Sequence, residues 1–399
     1  MQKFTYYAPT EIVFGPGTEM NTGALVKKYG GSRVLVVYGG QSAVRRGLID
    51  RILGSLKEAG IEAKAAGGVV PNPLLSTARK MVEEACAFEA DFILAAGGGS
   101  VIDTAKATAI GAANPGKDLW SFWTGRPVQK SLPVAAVVTI AAAGSETSNS
   151  AVLTNDEVEP RTKRGLNGDF NRCRFAVMNP ELTMSLPKYQ IGAGAADIFM
   201  HTSERYFSPV RGNHLTDEIA EGVLRDIMIY GPAGVRDSSD YEAMSEIMWC
   251  GSVSHVGLTG LGSKGDGPRE GDWSCHQLGH ALSALFNATH GATLTAVWGS
   301  WASYVCHEDM ARFARFARKV CGVTEEDDAL AAEQGIEKAE EFFRSLGMPL
   351  TITELLGRDL TEDEVRQLAE ECSYGKTRTV GSMKVLSFDD MVRIYDAAR

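Results

Sequence analysis

The chain has 399 residues, with 44% hydrophobic and 23% charged residues and a formal net charge of −10. That length suits two domains, each able to bury a core, and the acidic balance argues against a nucleic-acid surface, which needs a basic excess. No apolar run approaches the roughly 18 residues of a membrane span.

The N-terminal stretch Met1–Tyr7 lacks the apolar centre of a signal peptide. Seven scattered cysteines without a Cys-x-x-Cys pair read as free thiols, the pattern of a reducing cytoplasm. Arg33–Tyr38 reads as a short buried strand running into Gly39-Gly40. Residues 48–59 carry helical spacing in Leu48, Ile49, Ile52, Leu53 and Leu56. A helix over 74–87 follows Pro71-Asn72-Pro73, which cannot lie inside it. A second strand over 91–96 opens on Gly97-Gly98-Gly99-Ser100, with a helix over 101–112 behind it. A third strand over 133–139 leads to Gly144-Ser145-Glu146. Such alternation predicts a mostly parallel sheet covered by helices on both faces.

The character changes at Leu186-Pro187. Helical patterns follow over 215–230, 241–258, 309–321, 329–346, 361–371 and 388–398, with a capping box at Thr361 and Glu364 and a cap at Ser387. The expected organisation is an α/β Rossmann-like domain over 1–187 and an all-α domain over 188–399. Arg161, Lys163 and Arg164 form a basic run in a polar loop whose ordinary reading is a solvated surface.

Two stretches carry chemistry. In the second half, Asp197 and His201 are four apart, as are His276 and His280, and each pair shares a helix face. Together they offer a carboxylate and imidazoles suited to a divalent metal. His290 completes a cluster of three of the seven histidines. One straight helix would set His276 and His290 roughly 21 Å apart. If both hold one ion the chain must turn back between them, and Asn287 and Gly291 suit a reversal. Cys275 reads as packing.

In the first half, Gly97-Gly98-Gly99-Ser100 between a strand and a helix allows backbone N–H groups to approach a pyrophosphate, with Asp103 one turn further on. A plain tight turn explains the glycines equally well, since this is not the Gly-x-Gly-x-x-Gly fingerprint. Gly39, Gly40, Gln41 and Ser42 contain no carboxylate for a ribose 2′-hydroxyl, and Arg45 and Arg46 follow. That loop favours NADP(H) over NAD(H).

The set Asn72-Pro73, Gly97-Gly98-Gly99-Ser100-Val-Ile-Asp103, Gly144-Ser145-Glu146, Asp197-x-x-x-His201 and His276-x-x-x-His280 with His290 resembles the iron-containing (group III) alcohol dehydrogenases. The nearest likeness is to the butanol dehydrogenase and NADPH-dependent aldehyde reductase branch. The resemblance spans essentially the whole chain. It implies a dinucleotide-binding domain, a helical domain and a cleft between them. It implies one divalent metal, Fe2+ or Zn2+, on Asp197, His201, His276 and His290, with His280 beside the site as a relay or orienting residue. It implies cofactor contacts from Gly39, Gly40, Ser42, Asn72, Gly97, Gly98, Gly99, Ser100, Asp103, Thr139, Ser145, Lys163 and Leu182. It also implies a cytoplasmic homodimer.

The expected reaction is hydride transfer between NADP(H) and an uncharged aldehyde or primary alcohol. Arg205, four residues past His201, is expected to reach outward rather than toward substrate. Trp120, Phe122 and Trp123 read as packing, with a pocket lining as the other option. Residues 262–271 look longer than the family's usual approach to Trp273, and would reshape the pocket mouth. The alternatives are a lyase resembling dehydroquinate synthase, an NAD-preferring alcohol or diol dehydrogenase of the same fold, and a non-catalytic nucleotide-binding protein.

Overall fold

A computed structural model describes residues 2–142, 144–264 and 270–399. The chain forms two compact units, one of Ala8–Ser185 and one of Leu186–Arg399 together with the N-terminal residues up to Tyr7. The division lies two residues before the boundary drawn at 187/188, and the sequence pattern gives no sign that the N-terminal stretch joins the helical unit.

The first unit is built on a six-stranded sheet. Its strands are β1 (Glu11–Phe14), β2 (Arg33–Tyr38), β3 (Glu62–Ala66), β4 (Phe92–Gly97), β5 (Val134–Val138) and β8 (Phe175–Met178). They run parallel in the order β1-β8-β5-β4-β2-β3. The central strands are apolar throughout because helices cover both faces, which is why they were legible as continuous runs. The edge strand β3 reads Glu-Ala-Lys-Ala-Ala and is mostly accessible, so its pattern carries no strand signal. A separate antiparallel hairpin, β6 (Ser150–Asn155) with β7 (Thr162–Asn167), occupies the stretch read as a polar loop.

Chain order within the sheet decides where a ligand can sit. After β2 the chain moves outward to β3, then returns past β2 to β4. The switch point therefore lies between β2 and β4, whose carboxyl ends are Gly39-Gly40 and Gly97-Gly98.

The second unit contains no named strand among the described residues. Its centre is helix Lys188–Tyr206, buried almost continuously from Ile191 onward. Phe199 on this helix packs edge-on against Trp298 and Phe343. Helix His214–Arg236 continues six residues beyond the predicted end at 230 and passes through Pro232. Gly231 and Gly234 sit beside the proline, where an added Cβ would press on Ala195 and Ile247 respectively, so close packing holds that turn despite the lost backbone bond. No helix of the described residues is long and apolar enough to cross a membrane.

Candidate active site

In the helical unit, three helices bring their side chains to one place. Asp197 and His201 lie one turn apart on helix Lys188–Tyr206, with His201 Nε2 at 3.5 Å from Asp197 Oδ1. His276 belongs to helix Ser274–Phe286 and His290 opens helix His290–Val305. Nε2 of each lies 3.7 Å from the same Asp197 oxygen. His276 Nε2 is also 3.1 Å from His201 Nε2. Donor atoms of Asp197, His201 and His276 all fall within 4.8 Å of one another.

These spacings can be tested against a metal. Four ligands at about 2.1 Å in a tetrahedron are roughly 3.4 Å apart. The observed 3.1–3.7 Å brackets that edge length, and the donor set is one carboxylate with three imidazoles. The residues present fit a divalent ion.

Backbone geometry explains the convergence. Asn287 takes a left-handed conformation (φ 51°) and ends its helix, and Thr289 precedes the next. The reversal thus falls where Asn287 predicted it. Gly291 is not part of it: the residue lies inside the following helix, and a Cβ there would sit 2.1 Å from Ala193 O. Its role is to let the His290 helix approach the Asp197 helix backbone to backbone.

His280 is beside the cluster, its ring 5.3 Å from His290 and 6.2 Å from His276. Cys275 is fully buried and outside the donor group. Arg205 departs from expectation. It does not reach outward but is buried, donates to His201 O at 2.6 Å and lies 4.5 Å over the Trp273 ring. The stacked indole and the nearby carboxylates of Glu204 and Glu270 make that burial tolerable. Burial pulls its pKa down to about 10 against the opposing pull of those two carboxylates.

Two neighbours were not singled out from the sequence. Glu204, fully buried on the Asp197 helix, meets His276 Nδ1. His255, from helix Tyr241–His255, places Nδ1 at 2.9 Å from His201 Nδ1. A period of three to four residues ending at Asp197, His201 and Glu204 would have raised Glu204 as a candidate; nothing local marks His255. The two imidazoles are also electrostatically unlike. Burial works to lower the His276 pKa, but Glu204 and Asp197 outweigh it and carry it up to about 9. His201 is pushed well below the ordinary histidine value by burial, then by His255 and His276.

In the sheet unit, the three consecutive glycines are not equivalent. A Cβ on Gly97 would lie 2.5 Å from Val101 Cγ2 and one on Gly98 2.8 Å from Ile140 Cβ, so both are required by packing. Gly99, the first residue of helix Gly99–Ala113, and Gly40 face open space. Open space thus lies over Gly40 and Gly99, while Gly97 and Gly98 serve the turn. Gly39 lies at the end of β2, and Ser42, Arg45 and Arg46 are accessible.

Asp103 is committed inward. Ser145 Oγ donates to its Oδ1 at 2.6 Å and Val152 N–H to its Oδ2 at 3.0 Å. Lys106, unremarked in the sequence, is completely buried one turn away and donates to Ser145 O and Ser150 O, both at 2.7 Å. Burial raises the Asp103 pKa, with Lys106 opposing. Thr139 N–H donates to Gly97 O, and Leu182 packs against the sheet's main core.

Lys163 is buried on β7 and donates to Asn72 Oδ1 at 3.1 Å, so this member of the basic run is not a solvated surface charge. Trp123 and Phe122 are core residues, with Trp123 Nε1–H bonded to Ala151 O, and Trp120 packs against them. Of the segment 262–271, to which a longer pocket mouth was assigned, residues 265–269 lie outside the described residues.

Comparison with known proteins agrees across both units. Residues 9–180 match the family model "Iron-containing alcohol dehydrogenase", and residues 192–399 match "Fe-containing alcohol dehydrogenase family, C-terminal". The chain is 36% identical to NADH-dependent butanol dehydrogenase A of Clostridium acetobutylicum, over 99% of each chain. It is 30% identical to the NADPH-dependent aldehyde reductase YqhD of Escherichia coli over the full length of both. The crystal structure of NADH-dependent butanol dehydrogenase A from Thermotoga maritima superposes with a TM-score of 0.93 at 33% identity, covering 100% of this chain and 99% of that one.

Proposed function

The chain belongs to the iron-containing alcohol dehydrogenase family, and on that premise we propose that it transfers a hydride between a nicotinamide cofactor and an aldehyde or primary alcohol. The observation that carries this reading is the convergence of Asp197, His201, His276 and His290 with spacings of 3.1–3.7 Å. Those four residues would hold one divalent ion, Fe2+ or Zn2+. A bound ion supplies Lewis acidity toward the carbonyl oxygen, and a reduced nicotinamide supplies the hydride.

The chain's own side chains do the rest. Asp197 brings one negative charge to the donor set. Arg205 and Trp273 pack beside His201 and restrict water there. His280 stands next to His276 and His290, where it can hold or pass the proton exchanged with the product oxygen. Arg205 is already bonded to His201 O and stacked on Trp273, which favours an uncharged substrate over one carrying a carboxylate or phosphate.

For the cofactor, Gly39, Gly40, Ser42, Asn72, Gly97, Gly98, Gly99, Ser100, Asp103, Thr139, Ser145, Lys163 and Leu182 make up the proposed nucleotide site. Gly99 and Gly40 leave room for phosphate, and Lys163, bonded to Asn72, adds a buried cation to the proposed set. The loop after β2 lacks a carboxylate up to Asp50, which favours NADP(H). The names of the relatives include both NADH- and NADPH-dependent enzymes, so the preference rests on this chain's residues. A reducing cytoplasm belongs to the same proposal and draws on seven unpaired thiols, and a homodimer is carried over only from the family resemblance.

The test is metal analysis of the purified protein with steady-state turnover of butanal, a longer aldehyde and a phosphorylated aldehyde under both cofactors. We expect about one divalent ion per chain and NADPH-linked reduction of the uncharged aldehydes. A preference for the charged aldehyde overturns the substrate reading. Higher efficiency with NADH overturns the cofactor reading, and Gly39→Asp is expected to shift preference toward NAD(H).

A further inference from the structure

We propose that Glu204 is a positioning residue for the metal centre, fixing the tautomer of His276 so that its Nε2 lone pair faces the ion. The inference rests on the ligand assignment proposed above and goes beyond it to a residue outside the ligand set.

Glu204 is seven residues past Asp197 and three past His201 on one helix, so all three project from the same side. It is completely buried. One oxygen, Oε1, accepts from the backbone N–H groups of Cys275 at 2.6 Å and His276 at 3.3 Å. These are among the first N–H groups of helix Ser274–Phe286, whose N-cap residue Trp273 supplies no side-chain cap. Glu204 thus caps a neighbouring helix from 71 residues away in sequence. The other oxygen, Oε2, meets His276 Nδ1.

A metal ligand must be a neutral imidazole with one N–H, and an ionised carboxylate only accepts hydrogen bonds, so in the metal-binding form that N–H lies on Nδ1. The Nε2 lone pair is then left pointing at Asp197 Oδ1 and His201 Nε2. One side chain thereby sets both the position of the helix and the protonation pattern of the ligand it carries.

Glutamine at this position separates the two tasks. Its amide has one accepting oxygen and one donating NH2 group. The backbone N–H groups can only donate, so the amide oxygen faces them and the cap survives. The NH2 group then faces His276 Nδ1, which must accept, and the ring proton moves to Nε2, where it blocks a metal. The shape is unchanged and the tautomer is wrong.

The experiment measures Zn2+ affinity by chelator competition, with thermal unfolding of the metal-free proteins, for wild type, E204Q and Glu204→Asp. E204Q is expected to bind Zn2+ about 10–100-fold more weakly, the range typical of removing such a partner, while unfolding within a few degrees of wild type. Glu204→Asp keeps two accepting oxygens and is expected to bind more tightly than E204Q. Zn2+ affinity in E204Q equal to wild type overturns the inference, as does Glu204→Asp binding no better than E204Q. Wild type that binds no Zn2+ overturns the ligand assignment itself, so the two failures are distinguishable. A measurement free of any variant is 15N-histidine NMR of the Zn2+-loaded wild type. His276 protonated at Nδ1 supports the assignment, and protonation at Nε2 overturns it.

Discussion

The sheet unit and the helical unit assemble their chemistry in opposite ways. In the sheet unit the glycines of the proposed nucleotide site lie at consecutive positions where two adjacent strands end, and topology alone brings Gly39-Gly40 beside Gly97-Gly98. In the helical unit His276 comes from 75 residues beyond His201, and His255 from 54 beyond it. The buried carboxylates differ accordingly. Asp103 of the sheet unit has the Lys106 cation close by. Asp272 of the helical unit is raised by burial and by the nearby Glu204 carboxylate. In the sheet unit the register of paired strands sets the arrangement, whereas in the helical unit it depends on how helices pack.

The sharpest test of that contrast is His276→Ala. It should remove most bound metal and activity, a loss exceeding the roughly 10–100-fold typical of a supporting residue. Cys275→Ala, one residue away, should leave metal content unchanged. Full metal occupancy in His276→Ala would break the account of the helical unit.

A second test uses pH. Burial raises the Asp272 pKa from 3.8 to about 6, although N–H groups of Ser274, Ser382 and Met383 bond to it. Between those values the folded protein holds a proton that the unfolded chain releases. The group's contribution to stability therefore falls as pH rises through that window and is constant above it. The stability difference between wild type and Asp272→Asn should decline by roughly 2 kcal/mol from pH 4 to pH 6.5, read by urea unfolding. A flat difference would show that Asp272 keeps its ordinary pKa.

Glycines sharpen the comparison further. Gly291→Ala forces a Cβ toward Ala193 O at 2.1 Å and should cost about 1–3 kcal/mol. It should also weaken metal binding, because both helices carry proposed ligands. Gly99→Ala, over open space, should change unfolding by less than about 1 kcal/mol and raise the KM for cofactor. Equal losses of stability in the two variants would erase the distinction between the units.

Much of this was readable before folding was considered. Apolar runs gave β2, β4 and β5 because strands buried on both faces carry no alternation. The edge strand β3 was not readable because its polar, largely accessible residues carry no apolar pattern, and the hairpin β6–β7 was not because Thr162–Asn167 is polar and basic although part of the hairpin is buried. The four-residue spacing of Asp197 and His201 was visible because it reflects one helix, and Asn287 marked the reversal through its tolerance of a left-handed backbone.

By itself the sequence determined which residues can hold a metal, where the strands end on glycine and that the chain has an α/β part and a helical part. Tertiary structure alone decided that Arg205 turns inward onto Trp273, that Lys163 is buried against Asn72, that Gly291 serves helix contact and that Glu204 and His255 back the two imidazoles. The physical reason is range. Periodicity and turn chemistry act over a few residues, whereas a hydrogen bond to the far nitrogen of a ligand depends on which helix packing brings alongside it.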